Sequence, residues 1–192
     1  MNAVLAPPLP TVAAALHLLT AEKFMAEYSH RHAELVRGTI LELPMPSARH
    51  GEVCVNAVVH IANFVKAHKL GRVCSNDSLF VTRRNPDSAR GPDVSYYSFA
   101  RMPAGPAPQG ICEIAPELAV EVRSPSNSWA EIFAKIGEYL QVGVTAVLVL
   151  DPERTSATVY RATGQTAFGA AETLTVPEVL PGFEVIVGKF FE

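Results

Sequence analysis

Two carboxylates stand where a folded domain would not ordinarily place a free charge. Asp93 follows Pro92 at the start of an apolar segment, and Glu121 lies inside the apolar run ELAVEV at residues 117–122. Burying a carboxylate is costly unless the charge is paired or bound to a cation. Carboxylate oxygens are ligands that suit Mg²⁺ or Mn²⁺. We therefore expect Asp93 and Glu121 to form a divalent-metal site, where a bound metal would polarise a phosphate and activate water.

A third charged residue, Lys135, follows Glu121 on the next predicted helix, at residues 129–142. Side chains on a helix tilt toward its N-terminus, so the lysine can reach back toward the end of the preceding strand. There its ammonium could balance the charge that grows on a phosphate in the transition state. We therefore predict Asp93, Glu121 and Lys135 as the catalytic residues.

Each of these three charges also has an ordinary explanation as an ion pair with a near neighbour in sequence. The alternative pairs are Asp93 with Arg90, Glu121 with Arg123, and Lys135 with Glu131 and Glu138. Such pairs occur on one face of a strand or along a solvent-exposed helix without any ligand. The sequence alone leaves both interpretations open.

The elements that must position these residues indicate an α/β fold, a mixed β-sheet flanked by helices. A strand at 117–122, the helix at 129–142 and a strand at 144–150 form a crossover, which makes the two strands parallel. A longer helix at 48–69 has apolar residues at helical spacing and can cover the other sheet face. Upstream of the crossover we predict one strand at 72–81, a polar turn at 83–91 and another strand at 92–99.

Composition limits the class of protein. The chain has 192 residues, a length typical of one domain, and we expect a flexible arm at 1–19 followed by a single domain at 20–192. Its net charge of -3 argues against strong non-specific binding to a nucleic-acid backbone, although a local basic patch is compatible with it. The three cysteines have no metal-pair spacing, which favours free thiols in a reducing cytoplasm. No stretch has the ~20 apolar residues of a membrane span.

The same residues lie in segments that resemble the Uma-type family of restriction endonucleases. The resemblance covers roughly residues 20–165 in order. Its segments are AELVRGTILELPMPSARH at 33–50, GPDV at 91–94, PELAVEVRSPSNS at 116–128, K-x-x-x-Y at 135–139 and GVTAVLVLDPE at 143–153. It implies a restriction-endonuclease-like core and the PD-(D/E)XK nuclease superfamily. In that motif Pro92 and Asp93 supply the PD, and Glu121 supplies the second acid.

The resemblance also implies further site residues, and it shows one departure from the superfamily pattern. The superfamily lysine usually stands two residues after the second acid, where this chain has Arg123, but the family commonly carries a lysine on the following helix, which matches Lys135. Glu34 matches a position where the superfamily often has an additional metal ligand, and His50 matches a histidine of the family. We therefore treat His50, together with Arg123 at the usual lysine position, as possible accessory residues.

The function that the resemblance implies is metal-dependent hydrolysis of phosphodiester bonds in DNA, by analogy in a homodimer. A domain of the same fold that binds nucleic acid or a partner protein without hydrolysis is the main alternative, and the acidic balance and Arg123 favour it slightly. A hydrolase of smaller phosphate esters ranks behind both, because the sequence contains no glycine-rich phosphate loop.

Overall fold

Three α-helices pack on two principal β-sheets in the computed structural model, which describes residues 18–192. The elements are α1 (Ala21–Tyr28), β1 (Ala33–Val36), β2 (Thr39–Glu42), α2 (Ala48–Ala67), β3 (Gly71–Ser75), β4 (Phe80–Arg83), β5 (Ser88–Arg90), β6 (Val94–Ser98), β7 (Leu118–Val122), α3 (Trp129–Gln141), β8 (Ala146–Asp151), β9 (Ser156–Arg161), β10 (Gly164–Phe168), β11 (Thr173–Thr175), β12 (Glu184–Ile186) and a 3₁₀ helix (Val187–Phe190). The predicted α/β class, with a mixed sheet between helices, is confirmed.

The larger sheet has six strands in the order β10-β9-β8-β7-β6-β3. Strands β7 and β8 are parallel, and the other neighbouring pairs are antiparallel. The helix between the parallel strands, α3, begins with a capping box: Ser128 accepts from the backbone N–H of Glu131, and the Glu131 carboxylate accepts from the N–H of Ser128. The predicted strand–helix–strand crossover is therefore present.

Two apolar cores cover opposite faces of this sheet. On one face, α2 contributes Val53, Ala57, Ile61 and Val65, which pack with Leu118, Val120 and Val122 of β7. On the other face, α3 contributes Ile132, Ile136 and Tyr139, which pack with Ala119 of β7 and with Val147 and Val149 of β8. Because successive strand residues point to opposite faces, Glu121 shares the α3 face with Ala119.

The smaller sheet, in the order β2-β1-β5-β4, differs from the prediction. The single strand predicted at 72–81 is wrong: β3 joins the large sheet and β4 joins the small one. The extended conformation ends between the two strands at Asn76 and Asp77, whose φ angles of 62° and 51° lie in the left-handed region. The polar turn predicted at 83–91 is also wrong in part, since it contains β5. These short strands carry no apolar alternation that would identify them in the sequence.

The predicted flexible arm lies mostly outside the described residues, which begin at Leu18. The described end of that segment packs on the small sheet: the N–H of Leu19 donates to the Gly38 carbonyl at 2.9 Å, and its side chain contacts the cluster around Phe24 and Leu35. Within residues 18–192, no helix combines the length and apolar character needed to cross a membrane.

We expect residues on the α2 face that covers the large sheet to contribute more to stability than residues on its exposed face. Ile61 is 0% exposed, so Ile61→Ala should lower the free energy of unfolding by about 2–5 kcal/mol, through lost burial and the cavity left behind. Val59 lies on the same helix but is 47% exposed, and Val59→Ala should change that free energy by less than about 0.5 kcal/mol. Urea denaturation of both variants checks this. Equal losses in the two would contradict the packing.

Candidate active site

A buried ion pair joins the two residues that the sequence placed on β7 and α3. The Lys135 Nζ lies 3.1 Å from Oε2 of Glu121 and 3.0 Å from Oε1 of Glu34, so the ammonium stands between two carboxylates. The Tyr139 hydroxyl, one turn further along α3, donates to Oε1 of Glu121 at 2.7 Å. Helical spacing presents Lys135 and Tyr139 to the same strand residue.

Burial and charge set the protonation of this pair. Glu121 is 7% exposed, and burial raises its pKa to about 7, against the opposing attraction of Lys135. Burial alone would lower the pKa of Lys135, but its attraction to Glu121 and Glu34 raises that pKa above its ordinary value. Lys135 therefore carries a proton at neutral pH, and it can stabilise negative charge rather than act as a base.

Glu34 is held by donors on every side. Its Oε2 accepts from Nη1 of Arg90 at 2.9 Å, and its Oε1 accepts from the Gly91 N–H at 3.1 Å as well as facing Lys135. Arg90 in turn donates to both oxygens of Glu138 on α3, at 2.8 and 2.7 Å. The small sheet, which carries Glu34 and Arg90, is thereby connected to α3 through alternating charges.

Asp93 immediately precedes β6 and faces the end of β7. Its Oδ2 accepts from the Val122 N–H at 2.6 Å, and its Oδ1 lies 3.4 Å from Nε2 of His50. Since Val94 pairs with Val120 in the antiparallel register, Asp93 and Glu121 occupy the next opposed positions. The hydrogen bond to Asp93 raises the pKa of His50, which lies in the first turn of α2.

The ion-pair alternatives raised by the sequence are wrong, because the structure gives each residue other partners. Arg90 binds Glu34 and Glu138 rather than Asp93, and Lys135 turns to Glu121 and Glu34. Arg123 lies 3.4 Å from Asp151, donates to Glu153 at 2.5 Å, and stacks over Trp129 with its guanidinium carbon 5.2 Å from the ring centroid. The structure thus places Arg123 apart from the Lys135 cluster.

These side chains line one cleft, whose rim is formed by residues 43–46 and the turn after β7. Asp93, Glu121, Lys135 and His50 all contribute to its wall. The two predicted oxygen ligands, Asp93 and Glu121, therefore face a common space. Carboxylate oxygens are hard ligands that suit a divalent metal such as Mg²⁺, and the neighbouring Lys135 ammonium could contact a phosphate.

Sequence reasoning missed one acid in this cleft, Asp77. Its Oδ2 lies 3.2 Å from Nε2 of His32, and burial, followed by the charge of Asp93, raises its pKa. Its backbone crosses so close to the GPDV segment that a Cβ on Gly91 would lie 2.4 Å from the Asp77 carbonyl oxygen. The polar triplet Ser75–Asn76–Asp77 was a possible signal, but polar triplets more often form simple turns.

Removing the charge of Lys135 should destabilise the fold, because the buried carboxylates lose their partner. We expect Lys135→Met to lower the free energy of unfolding by about 3–5 kcal/mol at pH 8, because Glu121 loses its partner while it stays buried. The loss should shrink as the pH falls toward 5, since the raised pKa of Glu121 lets the folded state take up a proton that neutralises the carboxyl. Denaturant unfolding at both pH values, with Lys66→Met on exposed α2 surface as control, measures this. A loss that grows at low pH would contradict the pairing.

Comparison with known proteins agrees with this architecture. A family model, Uma2, described as "Putative restriction endonuclease", matches residues 18–188. A crystal structure of "a putative nuclease belonging to DUF820" from Anabaena variabilis is similar with a TM-score of 0.76 and 23% sequence identity, covering 90% of this chain and 97% of that chain. No curated protein matches the sequence. The predicted family is therefore confirmed, and the chain belongs to the Uma2 family of restriction-endonuclease-like proteins.

Proposed function

We propose that this protein is a metal-dependent endonuclease that hydrolyses phosphodiester bonds in DNA. The observation that carries the proposal is the buried Lys135 ammonium, held by Glu121 and Glu34 at the wall of a cleft that also contains Asp93. Buried charges of opposite sign that face a cleft are typical of functional sites, because their desolvation is expensive for a purely structural purpose.

In this proposal Asp93 and Glu121 hold Mg²⁺ or Mn²⁺. Such a metal, when bound, polarises a phosphate oxygen and lowers the pKa of a coordinated water. Asp93 is already oriented by the Val122 N–H, and Glu121 by the Tyr139 hydroxyl. Glu34, which the family resemblance suggested as a further ligand, is 1% exposed and does not line the cleft, so we assign it to positioning Lys135.

The remaining roles follow from charge and contact. Lys135 carries a proton at neutral pH, so its ammonium can donate to a phosphate oxygen and offset the negative charge that grows there. His50 lies against Asp93 and orients that carboxylate. Arg123 is held by Asp151 and Glu153 outside the cluster, which favours Lys135 over Arg123 as the catalytic cation.

Nicking of supercoiled plasmid tests the assignment. The wild type should nick DNA with Mg²⁺ or Mn²⁺ and lose this activity in chelator. Asp93→Asn, Glu121→Gln and Lys135→Ala should each reduce the rate about 100-fold or more, as expected for loss of a group that stabilises the transition state. Matched controls are Glu178→Gln and Lys66→Ala, which lie outside the cleft and should retain the wild-type rate.

Two other outcomes would redirect the proposal. Nicking that survives Lys135→Ala but disappears in Arg123→Ala would transfer the cationic role to Arg123. Metal-dependent DNA binding without any nicking, with binding lost in Asp93→Asn, would identify a binding domain of the same fold that does not hydrolyse its ligand.

We also propose that two copies associate, because a symmetric pair would present one active site to each strand of a duplex. Light scattering coupled to gel filtration should then give twice the chain mass of 20.7 kDa. A monomeric mass together with nicking of one strand at a time would refute the homodimer while leaving the nuclease assignment intact.

A further inference from the structure

We propose that His50, Cys54 and Asp93 form a second cation site, for a thiolate-binding divalent metal of the Zn²⁺ class. One ligand atom from each of these residues lies within 4.8 Å of one from each of the others. Among residues 18–192, no other set of three histidine, cysteine or acidic side chains brings its ligand atoms within this distance of one another. Glu121 and Glu34 do not belong to it, so this site differs from the hard-cation site although the two share Asp93.

The distances suit a tetrahedral ion. His50 and Cys54 lie four residues apart on α2, which puts both side chains on one helix face. The Cys54 Sγ is 3.5 Å from Nδ1 of His50. Zn²⁺ bonds of ~2.0–2.3 Å separate tetrahedral ligands by roughly 3.4–3.8 Å, so this pair needs no rearrangement. The Asp93 carboxylate converges on the same pair: its Oδ1 lies 3.4 Å from Nε2 of His50, and one of its oxygens lies within 4.8 Å of the ligand atoms of both other residues.

The orientation of the His50 ring is the one that a metal ligand adopts. Its Nε2 lies 3.1 Å from the Val122 carbonyl oxygen, which can only accept a hydrogen bond, so the neutral ring carries its hydrogen on Nε2. The Nδ1 lone pair is then directed at Cys54. Metal-binding histidines commonly donate their second ring N–H to a backbone carbonyl or carboxylate in this way, which fixes the ring and its tautomer.

Ligand chemistry favours Zn²⁺ over Mg²⁺ at this position. A thiolate is a soft ligand that selects Zn²⁺ or Co²⁺, and thiolate plus carboxylate balance a divalent charge. Binding of the cation would release the Cys54 thiol proton to solvent, because the metal ligand is the thiolate. A cavity of about 320 Å³ adjoins the three residues and is also lined by Asp77, which leaves room for a fourth ligand from water or from that acid.

The shared ligand has a functional consequence, which rests on the proposed nuclease activity. An ion held by His50, Cys54 and Asp93 withdraws Asp93 from the site that would hold Mg²⁺ with Glu121. Zn²⁺ should therefore inhibit Mg²⁺-dependent nicking, and inhibition should depend on Cys54, which the proposed nuclease site does not use.

Titration of the protein with Co²⁺ in a thiol-free reductant tests the site directly, because a cysteine ligand gives a thiolate-to-cobalt charge-transfer band in the near ultraviolet. We expect the wild type to show this band together with the visible bands of tetrahedral cobalt. Cys54→Ser should lose the charge-transfer band, and His50→Gln should keep it while the affinity for Co²⁺ falls about 10-fold or more. Cys74→Ser, on β3, is the matched control and should match the wild type.

A wild type without the band, a band that persists in Cys54→Ser, or a band that depends on Cys74 would each overturn the proposal. In the nicking assay, Zn²⁺ should suppress the Mg²⁺-supported rate of the wild type and of Cys74→Ser, and should suppress that of Cys54→Ser at least 10-fold less effectively. If the wild type nicks no DNA, the proposed function fails, while the cobalt spectra still decide whether the metal site exists.

Discussion

The arrangement of this protein depends on one interaction, the Lys135 ammonium buried between Glu121 and Glu34. Glu121 comes from the large sheet, Glu34 from the small sheet and Lys135 from α3, so the three charges satisfy one another only when all three elements are in place. Arg90 of the small sheet makes a second link to α3, because its guanidinium binds both Glu34 and Glu138. Because an unpaired buried charge is strongly unfavourable, this chain of alternating charges fixes the position of the small sheet against the crossover.

Stability by itself does not explain such a network, since well-packed apolar residues of the same volume often stabilise a fold equally well. The apolar surfaces of α2 and α3 already supply two cores for the large sheet. For the nuclease that we propose, the charge cluster at the wall of the cleft would serve as preorganisation, in which the fold holds the Lys135 ammonium in place before a charged ligand arrives. Family membership and the cleft geometry agree with that interpretation.

The sequence predicted the crossover and the proximity of Lys135 to Glu121, because long apolar strands, a capped helix and helical side-chain direction are local properties. It did not predict the division of residues 72–81 between two sheets, since strands as short as β4 and β5 are defined by their pairing partners. The partners of Arg90, Asp77 and Cys54 were not predicted for the same reason. Their partners lie 48, 45 and 39 positions away or across a helix turn, and no spacing rule connects Arg90 to Glu138, His32 to Asp77, or Cys54 to Asp93.

The hydrogen bond from the Val122 N–H to Asp93 has a consequence for how the chain can vary in length. It joins the residue before β6 to the last residue of β7, and so fixes the register in which Val94 opposes Val120. A slip of one residue would turn Glu121 from the α3 face to the α2 face and bury it among valines. Insertions and deletions should accordingly accumulate in the long connection between these strands, residues 99–117, and be excluded from the strands themselves.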